Sequence, residues 1–537
     1  NGFGQRCILV DRNDHAFRSA DRRLACLYTV RMEGRRDAAG AVPQYGFVID
    51  QRKCIGCHAC TVACKAENEV PVGKFRTWVK YVEKGTFPSV KRHFTVLRCN
   101  HCDAAPCVTI CPVNALSKRP DAIVDLDRDQ CIGCRACMQA CPYDALYLNE
   151  ETGTAEKCHY CAHRTERGLE PACVVVCPEQ AIVAGDVADP ETPISRLIAE
   201  QPVAQRKLEK GTRPRVWYVD ALPEALRPNS STEPPQYLWS DRRHQPPPVP
   251  PGFEPPPDVV ATLDVDHAPV WGWHIWAYLV TKNLAAGAML AAPVLAAAGL
   301  PAGSDLQHVP EAVGLAFLGI TLFLLVHDLG RPERFLKLLL QPNTRSWLVK
   351  GAWVLTAFGL LTTASLVAGL LDEHALMRTL RMVNLPFAVL ASGYTAWLFG
   401  QCRGRDLWIE RGLFAKLVLR AACLGLALAV VLTAGAGGGL VPAAGFAAAF
   451  GLLFVVEHRR VERTRDGARA HAILEATGKP RQGELLHLVA AALLLAAGAA
   501  GGAVGTSLAL AALAATILGQ LVHEKAWVEA GQAVPLS

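Results

Sequence analysis

One cysteine spacing occurs twice in this sequence and limits what its first half can fold into. "CIGCHACTVAC" runs from Cys54 to Cys64, and "CIGCRACMQAC" runs from Cys131 to Cys141. Two other groups begin with CxxC and end with C-x3-C around a longer middle. The four groups contain sixteen of the 20 cysteines in the 537-residue chain. They are Cys54, Cys57, Cys60 and Cys64; Cys99, Cys102, Cys107 and Cys111; Cys131, Cys134, Cys137 and Cys141; and Cys158, Cys161, Cys173 and Cys177.

Thiolates at this spacing suit a cubane iron–sulfur cluster, which takes one thiolate per iron. A loop with a cysteine at every third residue can wrap three corners of a cube, and the fourth cysteine then points to a neighbouring cluster. Proline follows the last cysteine in three groups, where it fits the first turn of a helix, whereas Lys65 follows it in the first group. Gly56 and Gly133 allow the backbone to pass close to a cluster.

Disulfides and zinc are the alternatives to clusters. Sixteen paired thiols would need an oxidising compartment, and disulfides do not call for a repeated C-x2-C-x2-C-x3-C group. CxxC pairs are common in zinc sites, so the second and fourth groups taken alone would fit zinc. The first and third groups would overfill a tetrahedral site. The sequence therefore favours four [4Fe–4S] clusters, which together would conduct single electrons.

Residues 45–200 resemble the four-cluster ferredoxin subunit of complex iron–sulfur molybdoenzymes, such as polysulfide reductase, dimethyl sulfoxide reductase and formate dehydrogenase. The resemblance lies in "FVIDQRKCIGCHACTVACKAEN", "CNHCDAAPCVTICPVNAL", "DRDQCIGCRACMQACPYDA" and "KCHYCAHR…PACVVVCP". It implies an α+β double ferredoxin-like fold with four cubane clusters, because all sixteen cysteines are present. Each implied site takes three cysteines from one group and one from another. The sites are Cys54, Cys57, Cys60 with Cys177; Cys158, Cys161, Cys173 with Cys64; Cys99, Cys102, Cys107 with Cys141; and Cys131, Cys134, Cys137 with Cys111.

Changes in composition predict four segments. Residues 1–44 form an N-terminal arm, 45–212 the iron–sulfur domain, 213–269 a Pro-rich linker, and 270–537 a membrane domain. The linker contains "HQPPPVPPGFEPPPD", which is typical of extended polyproline II. Its aromatic residues are expected to hold it on the iron–sulfur surface. The net charge is only +6 and no basic run is interleaved with aromatics, so nucleic acid is not expected as a partner.

Eight apolar stretches after residue 270 are long enough to cross a bilayer. They are rich in Gly and Ala, which suits close helix packing in lipid. The predicted fold of this half is therefore an all-α polytopic bundle of eight transmembrane helices. The stretches lie near 271–299, 310–328, 346–371, 379–400, 412–435, 439–457, 484–502 and 504–523.

Lys and Arg in short loops predict the orientation. The loops 329–346, 401–416 and 458–483 lie on one side and carry fifteen Lys and Arg, whereas the opposite loops carry Arg378 and Arg381. The basic side is predicted to be cytoplasmic. Both termini and the iron–sulfur domain would then lie on the cytoplasmic face of the inner membrane.

A second resemblance lies in "LVHDLGRPERFLKLLLQPNTRSWLVKGAWVL" and the terminal "EAGQAVPLS". These stretches are similar to the NrfD family, the quinone-binding membrane subunit of polysulfide reductase and related complexes. The resemblance covers about 265–537 and implies eight spans, no haem, and a quinone or quinol site near one membrane face. Two subunits that are usually separate chains would be fused here.

Polar residues in or at the ends of the spans are the candidates for the quinone site. The candidates on the same side of the membrane as the iron–sulfur domain would lie nearest the cluster site formed by Cys131, Cys134, Cys137 and Cys111. A His/Asp pair at that position could pass protons. The alternative is that an end-of-span side chain only reaches the headgroups. The candidates are His274, Lys282, Asn283, His327, Asp328, Arg331 and Tyr394.

Asp328 is expected to have a cationic partner. Burying its carboxylate unpaired would be unfavourable, so Arg331 or Arg334 is predicted to pair with it. Neighbouring residues on a helix point about 100° apart, so His327 and Asp328 are expected to play different parts.

The sequence thus predicts an electron-transfer and membrane-anchor subunit of a quinone-linked oxidoreductase. It would pass electrons between a molybdopterin catalytic subunit, which carries the substrate chemistry on another chain, and menaquinone or ubiquinone. One alternative replaces the molybdopterin subunit with a multihaem cytochrome. Another is a redox-driven ion-translocating module, which Lys282 and Asp328 would allow. A third alternative is a membrane anchor that binds haem b, which would need two facing histidines. The available histidines lie near the ends of the spans, on the side of the iron–sulfur domain. They are His274, His327, His487 and His523.

Overall fold

The computed structural model describes residues 42–228, 236–239, 249–254, 256–266, 269–298, 305–458 and 464–537. The arm predicted for 1–44 lies outside these residues except for its last three. Part of the proline-rich stretch 244–258 also lies outside them.

The iron–sulfur region is built on two four-stranded sheets and two hairpins. One sheet has the order β8-β1-β10-β9 and the other β11-β12-β2-β3, while β4 pairs with β5 and β6 with β7. Neighbouring strands are antiparallel except β1 with β10 and β11 with β12. The strands are β1 Tyr45–Asp50, β2 Thr77–Lys84, β3 Lys91–Arg98, β4 Leu116–Lys118, β5 Val124–Leu126, β6 Leu146–Asn149, β7 Thr154–Lys157, β8 Ile182–Asp186, β9 Val203–Ala204, β10 Val216–Val219, β11 Gln236–Tyr237 and β12 Val259–Asp264.

Strand β1 is buried on both faces. Because side chains alternate along a strand, Phe47 and Ile49 face one apolar cluster and Val48 faces another. The first cluster also contains Cys60 and Cys173, so this sheet supports two of the cysteine groups directly.

Short helices follow the cysteine loops of this region. Helix α1 begins after His58 and α3 begins after Arg135, and both preceding residues have a left-handed backbone with φ of 60°. The repeated sequence therefore folds into repeated loop-and-helix units. The helices are α1 Ala59–Asn68, α2 Pro106–Ile110, α3 Ala136–Ala140, α4 Ala162–Thr165, α5 Ala172–Val175 and α6 Pro193–Glu200.

The segment 213–269 takes part in the fold of the iron–sulfur region. Strand β10 pairs in parallel with β1, and β12 pairs with β2. Tyr218 is buried and donates a hydrogen bond to the Val96 carbonyl, 3.1 Å away. The described parts of this segment thus extend both sheets as well as connecting the two halves of the chain.

The second half is all helical, and eight helices among the described residues are long and apolar enough to cross a membrane. The predicted α+β and eight-helix fold class is confirmed. The candidate spans are Trp273–Leu295, Leu306–His327, Trp347–Leu370, His374–Gly400, Leu413–Ala436, Leu440–His458, Lys479–Ala500 and Gly502–Ala533. The helices are α7 Trp273–Ala297, α8 Val309–His327, α9 Lys337–Leu340, α10 Trp347–Leu370, α11 His374–Gly393, α12 Thr395–Gly400, α13 Leu413–Thr433, α14 Leu440–His458, α15 Arg465–Ala476, α16 Lys479–Ala500 and α17 Gly502–Ala533.

Small residues allow the membrane helices to pack closely. A Cβ on Gly425 of α13 would lie 2.0 Å from the carbonyl oxygen of Gly287 on α7. Gly501 has φ of 63° and separates α16 from α17, which the sequence barely divides. Helix α17 continues ten residues beyond the predicted end at 523, because its last turns pack against the iron–sulfur region.

Glycines also bring the two halves of the chain together. The Gly330 N–H donates to the Gly133 carbonyl at 3.2 Å, and the Arg331 N–H donates to the Ile132 carbonyl at 3.1 Å. A Cβ on Gly330 would lie 2.3 Å from the Gly153 carbonyl oxygen. The loop of the third cysteine group therefore contacts the turn after α8 backbone to backbone.

We predict that Gly330→Ala separates this contact. Its methyl group cannot fit against Gly153, so the two interdomain hydrogen bonds should lengthen. A net loss of about 1 kcal/mol per bond corresponds to roughly fivefold faster amide exchange. Hydrogen–deuterium exchange of the peptide spanning 328–335 measures this. Gly319→Ala on α8 is the matched control, because its Cβ would meet nothing within 4 Å. Equal exchange in the two variants would contradict the prediction.

Candidate functional site

The structure brings together cysteines from different groups. Burial raises the pKa of the Cys54 thiol, and nearby Cys177 and Cys57 add to the rise. Burial likewise raises the pKa of Cys134 to about 12, with Cys111 as the thiol that contributes most. Each neighbourhood thus contains one cysteine from outside its own group.

The remaining two neighbourhoods have the same composition. Burial raises the pKa of Cys102 to about 12, and the nearby thiols of Cys99 and Cys141 add to the rise. Burial raises the pKa of Cys64, which lies close to Cys158 and Cys173. Thiols buried in this way are poor thiolates unless a cation binds them.

Local structure suits large anionic clusters at these sites. The Ala181 N–H donates to Cys177 Sγ at 3.2 Å, and the Ala155 N–H donates to Cys131 Sγ at 3.5 Å. All cysteines in the described part of the chain are free of disulfides. Within those residues no group of three or more His, Cys, Asp or Glu is arranged to hold a single metal ion. Thiols at the corners of a cubane lie farther apart than ligands of one ion, so the arrangement fits clusters better than zinc.

The four neighbourhoods differ in exposure. Cys57 is exposed, and Cys54 and Cys177 are half-buried. The set with Cys111 and Cys131 instead lies against the membrane helices. Asn343, just before α10, donates to the Cys111 carbonyl at 2.7 Å, and Arg334 donates to the Cys131 carbonyl at 3.0 Å. One set therefore faces the surface while another faces the bundle.

Three of the predicted site residues form a hydrogen-bonded chain with Arg135. His327 Nδ1 lies 3.1 Å from His274 Nε2, and His274 Nδ1 lies 3.2 Å from Asp328 Oδ1. Arg135 Nη2 lies 2.9 Å from the same Asp328 oxygen. Arg135 directly follows Cys134, so the chain of contacts leads from the end of α8 to a cysteine loop.

The partner of Asp328 differs from the expectation. Arg331 donates to the Thr152 carbonyl, and Arg334 donates to carbonyl oxygens of the iron–sulfur region. Asp328 pairs instead with Arg135, because the turn after α8 aims the two nearer arginines at the docked domain. Burial raises the pKa of the Asp328 carboxyl, and Arg135 and His274 oppose that rise.

The deeper candidates lie apart from this chain of contacts. Lys282 donates to the Ser392 carbonyl and to Thr395 Oγ1, 2.6 Å away, and lies 5.1 Å from the centre of the Tyr394 ring. Asn283 is fully buried, and its amide has no hydrogen-bond partner among the described residues.

Sequence reasoning missed Arg135 and three charged residues in the bundle. Nothing in "CIGCRAC" indicates that its Arg reaches across to another domain. Arg420, Glu457 and Glu524 form a buried ion cluster. Charges within apolar runs were the available signal for Arg420 and Glu457, whereas Glu524 lay just beyond the predicted last span.

Three families match parts of the chain. Residues 90–187 match the 4Fe-4S dicluster domain, and residues 45–66 match the 4Fe-4S binding domain. Residues 264–439 match the family described as polysulphide reductase, NrfD.

Curated relatives cover the iron–sulfur half. The iron–sulfur subunit of a putative dimethyl sulfoxide reductase from Halobacterium salinarum is 41% identical over 214 residues, which are 34% of this chain and 82% of the relative. A tetrathionate reductase subunit from Salmonella typhimurium is 46% identical, over 33% of this chain and 72% of the relative. A polysulfide reductase subunit from Wolinella succinogenes is 38% identical, over 33% of this chain and 94% of the relative.

This chain belongs to the family of iron–sulfur subunits of reductase complexes. The NrfD match adds a multi-pass membrane domain to the same chain, so both recognised resemblances are confirmed. The fusion is thus an iron–sulfur electron-transfer subunit joined to its membrane anchor.

We predict that Arg135→Ala raises the pKa of Asp328 further. The variant removes a cation that favours the charged carboxylate, while burial still favours the neutral acid. The carboxyl should therefore stay protonated to a higher pH than in the unmodified chain. Infrared difference spectroscopy of the protonated C=O band across a pH series measures this, with Asp328→Asn to assign the band. Arg331→Ala is the control and should leave the titration unchanged. A shift in that variant, with none in Arg135→Ala, would contradict the geometry.

Proposed function

We propose that the fusion carries electrons between a molybdopterin-containing catalytic subunit and a membrane quinone. The observation that carries this proposal is the series of contacts from His327 through His274 and Asp328 to Arg135, which ends one residue from Cys134. These contacts join titratable side chains of the membrane domain to a cysteine loop of the iron–sulfur domain, as a site that couples protons to electrons requires.

Four [4Fe–4S] clusters account for the cysteine neighbourhoods. Each neighbourhood holds three cysteines of one group and one of another, as the ferredoxin resemblance implies. When bound, the clusters transfer one electron at a time. The proposed sites are Cys54, Cys57, Cys60 with Cys177; Cys158, Cys161, Cys173 with Cys64; Cys99, Cys102, Cys107 with Cys141; and Cys131, Cys134, Cys137 with Cys111.

Iron analysis tests the cluster number and the pairing. The purified chain should bind about 16 irons and as much sulfide, four of each per cubane. Cys177→Ala should lose one site, and the double variant Cys54→Ala/Cys177→Ala should lose no more iron than either single variant. Cys423→Ala, in the membrane domain, is the control. About eight irons with bound zinc would contradict four clusters, and additive iron loss would contradict the pairing.

The exposed cysteine set fits a contact with the catalytic subunit. Cys57 is exposed, and large apolar side chains beside this set are exposed too. Ile55 (55%) lies in the cysteine loop, and Val62 (64%) and Val175 (61%) lie on α1 and α5, which pack together. Exposed apolar surface beside a redox site indicates a protein interface.

We predict that Ile55→Asp and Val175→Asp release the catalytic subunit. A carboxylate in an apolar contact loses hydration without gaining a partner, which should weaken binding at least tenfold. Co-purification of a large molybdenum-containing subunit, with metal analysis, measures this. Val90→Asp, an equally simple change at the end of the β2–β3 hairpin, is the control. Undiminished co-purification with both variants would place the partner elsewhere.

The series of contacts from Arg135 to His327 ends, on the membrane side, in a place that fits a quinone ring. His327 is exposed at the end of α8, and Trp273 and Phe323 beside it are 54% and 65% exposed. The Trp273 ring stacks on His274 with 4.0 Å between centroids, and Phe323 lies 5.6 Å from His327. In this proposal His327 binds a quinone carbonyl from the lipid side, while His274 and Asp328 exchange its proton.

We predict that His327→Ala and Asp328→Ala reduce quinone-coupled turnover about 100-fold or more, as expected for loss of a proton donor. Cluster reduction by an artificial donor should survive, because the variants leave every cysteine in place. Rates with reduced viologen and a short-chain quinone in proteoliposomes measure this. His374→Ala, at the start of α11, is the control. Full activity in both variants would move the site to Lys282, Asn283 and Tyr394.

The basic loops support a cytoplasmic iron–sulfur domain. The loops 329–346, 401–416 and 458–483, which the sequence predicts on the side of the iron–sulfur domain, carry fifteen Lys and Arg, and such loops are retained in the cytoplasm. A reporter that is active only outside the inner membrane should stay silent when fused after Ser537, and an active reporter would reverse the orientation.

A further inference from the structure

A buried ion cluster lies inside the bundle, away from the proposed quinone site. Arg420 on α13 contacts Glu524 of α17 at 2.5 Å and Glu457 of α14 at 2.6 Å. Its guanidinium also lies 3.0 Å from His523 Nε2. All three charged side chains are at least nine-tenths buried. Ionisable residues at such positions in a membrane domain are candidates for proton transfer.

A cavity connects this ion cluster to the junction of the two domains. Its volume is about 320 Å³, and Arg420, Glu457 and His523 line its inner part. Lys210 of the iron–sulfur region and the exposed Arg411 line its outer part. Solvent on the side of the iron–sulfur domain can therefore approach the ion cluster.

The register of two helices places Glu524 level with the second turn of α7. Gln532 of α17 exchanges hydrogen bonds with the Trp271 backbone, both at 2.9 Å. The two helices run in opposite directions, so the residue eight positions before Gln532 is level with the residue eight positions after Trp271. Eight residues of helix span about 12 Å along the axis. Glu524 is therefore level with Tyr278 and Leu279.

Helix α7 connects that level to the proposed quinone site. His274, Tyr278 and Lys282 are spaced four residues apart and lie on one face of the helix. Tyr278 is buried one helical turn after His274, and the register above places it level with Glu524. This face of α7 thus runs from the level of the ion cluster to His274 of the proposed site.

Several buried polar atoms around Glu524 and Tyr278 have no hydrogen-bond partner among the described residues. They are Glu524 Oε2, Gln520 Oε1 and both amide atoms of Asn283. An ion pair with a purely structural role would leave few such atoms, whereas buried polar atoms of this kind bind ordered water.

We propose that Glu524 and Tyr278 deliver protons from this cavity to Asp328 and His274. The inference rests on the proposed quinone site and adds the source of its protons. Quinone takes two electrons from the reduced chain and two protons to become quinol, and one O–H bond forms at each carbonyl oxygen. The oxygen at His327 takes its proton from cavity water, and the proton passes along the route Glu524, Tyr278, Asp328 and His274. The other oxygen faces the exposed side and takes its proton from interfacial water.

Glu524→Gln and Tyr278→Phe test the route in the full, cluster-loaded chain. Both variants keep the shape of the side chain and remove its acidic proton. Viologen-driven reduction of a short-chain quinone should slow at least tenfold, with a larger solvent deuterium isotope effect. Cluster reduction and the thermal shift caused by the quinone should be unchanged. Glu524→Asp should restore part of the rate, and the exposed Glu529→Gln on the same helix is the matched control.

The outcomes separate this route from the site that it serves. If Glu524→Gln and Tyr278→Phe keep full rates and the ordinary isotope effect while Asp328→Ala loses turnover, the route is wrong and the quinone site stands. If all three keep full rates, both proposals fail. If Glu524→Gln does not fold, Tyr278→Phe decides alone, since it leaves the Arg420 ion pairs intact.

Discussion

The backbone contact between the third cysteine loop and the turn after α8 fixes the positions of both candidate sites. Gly133 and Gly330 meet without side chains between them, so two main-chain hydrogen bonds can form across the domain boundary. The loop that carries Cys131 and Cys134 is thereby held at the end of the membrane bundle. Arg135, which lies in this loop, is thereby brought within 2.9 Å of the Asp328 carboxylate.

Covalent fusion favours this docking. Two separate subunits must find each other from solution, whereas here the contact is intramolecular and its effective concentration is set by the connecting segment. That segment also folds, because β10 and β12 add to the two sheets of the iron–sulfur region. Its described strands therefore restrict how far the two halves can separate.

Buried charges in the bundle are compensated in two different ways. Arg381 pairs with Glu311, and Arg420 pairs with two carboxylates, so each of these cations has an anionic partner within the described helices. Lys282 instead donates to neutral oxygens of Ser392 and Thr395. Because an unpaired charge in the membrane is costly, its retention there indicates a demand other than stability. Lys282 lies one helical turn beyond Tyr278, and Glu524 of the ion cluster is level with Tyr278, where the proton route is proposed.

The sequence by itself determined the two halves of the molecule and most of the chemistry available to them. Cysteine spacing is local, so "CIGCHAC" and "CIGCRAC" specify cluster-type loops whatever surrounds them. Apolar runs likewise specify eight spans, since a bilayer imposes a fixed length. Tertiary structure alone decided which distant groups meet. Asp328 pairs with Arg135 rather than Arg331, and Glu524 is level with Tyr278. Both outcomes depend on domain docking and helix register, which are set by packing among residues that are hundreds of positions apart.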